Sequence, residues 1–303
     1  MDKLGALAAF GTACCWAVSP LFFESSSKKL GALAVNFWKV IFAFAFLTLT
    51  GWISRGIPLP TDATPRAWLF LSLSGIAGFV FSDFFMFNAY VYIGARKAVV
   101  FQAITPFFTA LFAYLFLGET MAPARLIGMV IVVAGILMVV VPRHQTEEER
   151  KNEELKMPKL RKGYLFAFLS TVFQAAGLVL SKVGLGGYDV IAGTQIRILA
   201  AIAGFAIHAL VIGQSKHIFV ESPKDKGGMR SIFAGSIFGP FLGVVFSLFA
   251  VQNTQAGTAS TLMALTPVLI IPPSVLILKQ KTSWKEVVGA TVAVCGAALF
   301  FML

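Results

Sequence analysis

Apolar residues fall into ten stretches, at roughly 4–23, 33–52, 67–92, 96–117, 123–141, 163–182, 190–212, 231–253, 257–278 and 284–303. Each is close to the roughly 20 residues that carry a helix across the hydrocarbon core of a bilayer. None has the alternation of apolar and polar positions that a membrane β-strand needs. Connections are mostly short. Gly56-Ile57-Pro58-Leu59-Pro60 breaks the chain after the second stretch, and Ser222-Pro223 marks the loop before the eighth. The most polar interval, Arg143 to Lys162, contains Glu147-Glu148-Glu149-Arg150-Lys151 and reads as a solvated linker between residues 1–142 and 163–303. The pattern predicts an all-α membrane protein of about ten transmembrane helices.

The two halves resemble each other. Residues 95–142 shifted by 161 positions fall on 256–303 without a gap. Thr105-Pro106 then meets Thr266-Pro267, Gly128 meets Gly289, and Gly135 meets Gly296. Near the start of each half a shift of 158 sets Gly5 on Gly163 and Lys39 on Arg197. Five helices per unit is an odd number, so the second unit must enter the membrane in the opposite sense to the first. Two inverted five-helix repeats are a recurrent plan for transporters, in which a site at the repeat interface opens to either side in turn.

Composition agrees with a lipid-facing surface. The 303 residues are 57% hydrophobic and only 13% charged, about half the charge of a soluble domain. A net charge of +11 would suggest nucleic acid in a soluble protein. Here the basic residues lie between apolar stretches, where they meet headgroups, and no nucleic-acid partner is expected. Cys14, Cys15 and Cys295 lie within apolar stretches without the spacing of a metal site or disulfide framework. Leu4 to Phe23 is too long for the apolar core of a cleavable signal.

The segment Ala89-Tyr90-Val91-Tyr92-Ile93-Gly94-Ala95-Arg96-Lys97-Ala98, continuing through Ile104-Thr105-Pro106 to Leu117-Gly118-Glu119, is similar to the signature of the drug/metabolite transporter superfamily, in particular its EamA branch. Gly128 and Ala134-Gly135-Ile136 resemble that family's fifth-helix glycines, and Ala256 to Pro267, Gly289 and Gly296 repeat the pattern. Gln280 stands where the first half has Glu119. Trp16, with Lys28-Lys29 nearby, and the cations Lys39 and Arg197 resemble the family's first-helix Trp and second-helix cation. The resemblance covers nearly the whole chain. It implies ten helices, a central substrate cavity and alternating access.

Ionisable groups inside a membrane are costly, so each is a site candidate. Asp83 stands mid-helix in Phe81-Ser82-Asp83-Phe84-Phe85, as a proton-coupling carboxylate, a partner for an amine, or a buried acid paired for packing. Lys39 and Arg197 suit a substrate carboxylate or phosphate; the alternatives are snorkelling or a structural ion pair with Asp83 or Glu24. The amides Asn88, Gln102, Gln174, Gln195 and Gln252 must in part face the interior. Trp16, Trp38, Phe84, Phe87 and Tyr90 are candidates for an aromatic pocket, against a background of 30 Phe. His208, late in its helix, reads as interfacial. Pro20, Pro106 and Pro267 kink their helices, the latter two as a matched pair that points to the cavity.

These features predict a secondary active transporter that exports or exchanges small metabolites, amino acids foremost, in the plasma (inner) membrane of a prokaryote. Its partners are a small-molecule substrate and lipid, with proton coupling through Asp83. An organic-anion exchanger of the sugar-phosphate or nucleotide-sugar type is the rival within transport; a non-transporting receptor or scaffold is the rival outside it. No cofactor, metal or enzymatic activity is expected: His144, His208 and His217 have no metal-ligand neighbour, and no Walker A, Gly-x-Ser-x-Gly or His-Glu-x-x-His motif occurs. Orientation is contested. The family resemblance implies cytoplasmic termini, whereas the count of Lys and Arg in the loops favours termini outside.

Overall fold

The computed structural model describes residues 3–140, 157–269, 271 and 284–302, and all regular structure among them is helical. Helix α1 (Lys3–Leu30) turns directly into α2 (Ala32–Arg55) at Gly31, whose φ of 79° a side chain would resist. The α2 helix stops at Gly56, left-handed with its N–H on the Trp52 carbonyl. Thr64 then caps α3 (Pro65–Gly75), accepting from the Ala67 N–H. A π-helical stretch, Ile76–Phe81, leads into α4 (Ser82–Gln102), followed by α5 (Thr105–Leu117) and α6 (Pro123–Val140). The second half begins with α7 (Met157–Leu185) and α8 (Val190–Val211), the latter capped by Asp189. A π-helical turn (His217–Glu221) and a 3₁₀ turn (Ser222–Lys224) lead to α9 (Lys226–Ser236), a further π-helical stretch (Ile237–Gly243), α10 (Val244–Asn253), α11 (Ala256–Met263), α12 (Thr266–Leu269) and α13 (Trp284–Met302).

Six of these helical runs are long and apolar enough to cross a bilayer, and four shorter apolar helices join them: Thr105–Leu117, Pro123–Val139, Ala256–Leu269 and Val287–Leu299. The chain is a helical, multi-pass membrane protein. Large apolar side chains such as Trp52, Ile53, Phe116 and Val211 stand 64–79% exposed and have only lipid to meet. Two boundaries differ from the sequence reading. The gap expected between 92 and 96 is helical, and the interruption falls at Ala103-Ile104 instead. Residues 143–156 of the linker, with its Glu run, lie outside the described residues; residues 157–162 already form the start of α7.

Contacts set the direction of each helix. Gly5 at the start of α1 lies against Asn253, while Leu30 at its end receives a bond from His217. The end of the bundle that holds Gly5, Arg55, Leu185 and Asn253 is termed the N-terminal face, and the other the distal face. The equivalent helix α7 runs the other way, with Leu160 packed on Met86, Ala89 and Ile93 and its far end beside Arg55 and Tyr188. Offset by 161 residues, the π-helical stretch at Ile76 recurs at Ile237, and the break before Thr105 recurs before Thr266. The repeats are thus inverted copies that share irregularities as well as helices.

Glycine brings the copies into backbone contact. A Cβ on Gly135 would lie 2.4 Å from the Ala293 nitrogen, and one on Gly296 would lie 2.9 Å from that of Val132. Helices α6 and α13 therefore cross with no side chain between them, as small-residue packing in membranes permits. Gly135→Ala should lower stability in detergent by about 1–3 kcal/mol, read as an earlier thermal loss of the monodisperse species. Gly11→Ala, whose added methyl meets Phe246 at an ordinary 3.5 Å, should be tolerated and serves as the control.

Candidate functional site

The two Thr-Pro pairs define the centre. Proline has no N–H and obstructs the carbonyl four residues earlier, so Pro106 and Pro267 free the carbonyls of Gln102 and Met263. In each copy the chain responds with a tighter turn: Phe107 N–H bonds to Ile104, and Val268 N–H to Leu265. Thr266 Oγ1 donates to the freed Met263 carbonyl at 2.8 Å, and Thr105 Oγ1 reaches the Gln102 side-chain oxygen at 3.1 Å. A cavity of about 230 Å³ lies between the breaks. Its polar lining comes from Gln102 and Thr105 of the first repeat and from Gln174, Ser260 and Thr266 of the second, with Trp16 and Pro267 among the remaining walls.

Serines hold these amides in place. Ser82, at the end of the first π-helical stretch, donates to Gln174 Oε1 at 3.2 Å, and Ser170 Oγ donates to the Ser82 carbonyl at 2.9 Å. Gln102 Nε2 in turn donates to Ser170 Oγ at 3.2 Å. Thr109 Oγ1 donates to Ser260 Oγ at 3.1 Å, which joins α5 to α11. The network spans both repeats and carries no formal charge.

Of the residues singled out by sequence, Trp16, Gln102, Gln174 and Pro267 line this cavity, and Pro106 is buried at the break beside it. The charged candidates lie elsewhere. Lys39 Nζ pairs with Asp83 Oδ2 at 3.3 Å. Arg197 is 5% exposed and stacks over the Phe79 ring at 5.2 Å. Lys39 is seven residues into α2 from the distal face and Arg197 seven residues into α8 from the N-terminal face, so the structure holds them at opposite depths. Trp38 donates its indole N–H to Ile218 O and Ser222 Oγ at the distal face. Phe84 packs on Phe85 and His208, and Asn88 bonds back to the Phe84 carbonyl of its own helix. The side chains of Pro20, Glu24, Phe87 and Tyr90, and all of Gln280, lie outside the described residues.

The N-terminal face is tied shut across the repeats. Glu119, from the Leu-Gly-Glu segment, pairs with Lys182 at 2.5 Å and accepts the Ala256 N–H at 2.8 Å, capping α11. Lys182 also donates to the Thr254 carbonyl, and Arg125 to Gln255. Nearby, Arg55 bonds Asp62 at 2.6 Å and lies 3.4 Å from Asp189, while Tyr188 donates to Asp62 at 2.8 Å. Burial and the bond to Asp62 push the Tyr188 phenol up to about 12, and the bonds from Arg55 and Tyr188 hold the Asp62 carboxyl below its usual range. The Asp62 contribution is therefore present at neutral pH and is lost only as pH falls through that lowered value. On the distal face His217 lies 3.0 Å from Leu30 O and 3.2 Å from Glu221; those bonds raise its pKa.

The model of the EamA-like transporter family matches residues 3–141 and again 161–302. The chain belongs to the EamA-like transporter family. Among its relatives, a protein of Streptantibioticus cattleyicolor described as a probable terminal-alkyne amino-acid exporter is 28% identical over 141 residues, 46% of this chain; the match spans 45% of that relative's length. An uncharacterized transporter of Clostridium kluyveri is 23% identical over 76% of this chain and 71% of its own. A solved crystal structure superposes with a TM-score of 0.77 at 20% identity, covering all of this chain and 98% of the other, which shows a shared fold. The chain is thus an EamA-like transporter.

The Glu119–Lys182 pair gives a test of the closed face. Lys182→Met leaves a half-buried carboxylate without its cation and should destabilise the protein more than the double variant Lys182→Met/Glu119→Gln. Thermal unfolding of the two single variants and the double variant measures the coupling.

Proposed function

We propose that this transporter is a secondary active one that exports or exchanges small metabolites, amino acids foremost, by alternating access about the cavity between the repeats. The observation that carries the reading is the meeting of two equivalent helix breaks, one from each inverted copy, at one cavity that carries two amides and three hydroxyls among apolar walls. Interrupted helices at a repeat interface offer unpaired backbone groups to a solute, and rocking one copy against the other would expose them to each side in turn. The cross-repeat bonds at the N-terminal face are those that such a motion would have to break.

The lining favours a small neutral or zwitterionic solute. At about 230 Å³ the cavity lies below the roughly 300–1,000 Å³ of pockets for drug-sized ligands. Two carboxamides and three hydroxyls offer donors and acceptors, and Trp16, Leu178 and Met263 offer apolar contact. The description of the Streptantibioticus cattleyicolor relative as an amino-acid exporter supports the same class. A sugar-phosphate exchanger would want two cations in the cavity, but the lining has none and Lys39 is neutralised by Asp83. For coupling we assign Asp83: protonating it would release Lys39 and loosen the α2–α4 contact. The bacterial relatives support a plasma-membrane location.

Liposomes preloaded with unlabelled amino acids should accumulate labelled amino acid through the purified protein in a saturable way. Signal with phosphorylated metabolites alone would install the anion-exchanger reading, and silence in every pool would favour a receptor or scaffold. Gln102→Leu should cut amino-acid counterflow at least ~10-fold, the scale of losing one or more solute hydrogen bonds. Asp83→Asn should keep counterflow but lose accumulation driven by a pH gradient. Undiminished pH-driven accumulation would remove Asp83 from the coupling step.

A further inference from the structure

Arg197 is a buried cation without a counter-ion among the described residues. Among the described residues no carboxylate pairs with it, no hydrogen bond reaches it, and its Nε is enclosed with no partner. Its guanidinium stacks on the face of Phe79. An enclosed charge with no compensation is among the most costly features a membrane protein can carry.

Its sibling in the first repeat is compensated. Lys39, its equivalent at the offset of 158, has Asp83 at 3.3 Å. Offset by 161, the position of Asp83 becomes Val244, which is buried in an apolar cluster with Leu71 and Leu248, against which Phe79 and Trp16 pack. The second copy thus keeps the cation and lacks the acid. Glycine lets the guanidinium come close to the neighbouring backbone: a Cβ on Gly78 would lie 3.2 Å from Arg197 Nη2, and Gly78 is itself in backbone contact with Gly177. The next residue, Leu178, lines the cavity. Arg197 is not in the cavity lining itself; Gly78, Gly177 and Leu178 connect it to that lining from the side of the N-terminal face.

We propose that Arg197 is a binding site for a small anion, a carboxylate or an inorganic ion, that supplies the charge Asp83 supplies in the first repeat. The planar fork of a guanidinium suits the two oxygens of a carboxylate. The anion is either the carboxylate of a transported molecule or a free ion that accompanies it. This rests on the transport reading only for the route by which the anion arrives; binding itself can be read without flux.

The test is the thermal stability of the purified full-length protein at constant ionic strength, with isethionate as the bulky background anion replaced stepwise by acetate or by chloride. Wild type should gain stability saturably. A response to acetate alone identifies a carboxylate site, and an equal response to chloride identifies a general anion site. Arg197→Gln should lose the response, and Arg197→Lys should keep a weaker one, with at least ~10-fold lower apparent affinity. If Arg197→Gln does not fold, Gly78→Ala crowds the guanidinium and should weaken the acetate response in a folded protein. A wild type without saturable response, or variants that respond as wild type does, would overturn the proposal. Amino-acid counterflow measured on the same preparation separates that failure from failure of the transport reading.

Discussion

A bilayer offers a backbone no water, so every N–H and C=O that leaves the helical ladder must find another partner in the protein. This constraint organises the molecule. Pro106 and Pro267 each interrupt the ladder in the interior, and the local groups that answer them are the preceding threonines, the 3₁₀-like turns and the amides around the cavity. Breaks of this kind can exist only where they face protein or a polar space. Once the two Thr-Pro pairs are placed, the inverted repeats must be arranged so that both breaks point inward, and the rest of the packing serves that end.

The glycine crossings follow from the same requirement. Helices in lipid gain nothing from hiding apolar surface from one another, so they hold together through close packing and interhelical hydrogen bonds. The α6–α13 crossing at Gly135, Gly289 and Gly296 supplies close packing away from the cavity. The Ser82–Ser170–Gln174–Gln102 network supplies hydrogen bonds beside it. Two pairs neutralise charges, Glu119 with Lys182 near the N-terminal face and Lys39 with Asp83 toward the distal one, and Arg197 is the exception.

Much of this architecture could be read from residue order. Apolar runs of bilayer length gave the helical membrane class, and the offset of 161 that joins the Thr-Pro pairs also joins the π-helical stretches that begin at Ile76 and Ile237. Trp16, Gln102 and Pro267 were identifiable because a tryptophan, an amide and a proline are each conspicuous in an apolar run. Ser82, Ser170 and Ser260 were not, because a small hydroxyl bonds its own helix as readily as a solute and only packing decides which. Helix continuity through 92–96 was also hidden, since Gly94 and the basic pair Arg96-Lys97 look like a loop. The separation of Lys39 and Arg197 has a geometric reason: equivalent positions in inverted copies lie at mirrored depths and come together only near the midplane.

That mirrored pair has an electrical consequence. In the first repeat Asp83 neutralises Lys39, whereas Arg197, its counterpart in the second, has no carboxylate partner among the described residues. A unit charge moved through the full membrane potential exchanges about 2.3 kcal/mol per 100 mV. Rocking the second repeat against the first would carry part of that charge through the field, so the resting voltage would bias which side the cavity faces. With an anion seated on the guanidinium the same motion becomes nearly electroneutral, and occupancy of one buried residue then decides whether the cell's voltage acts on the cycle.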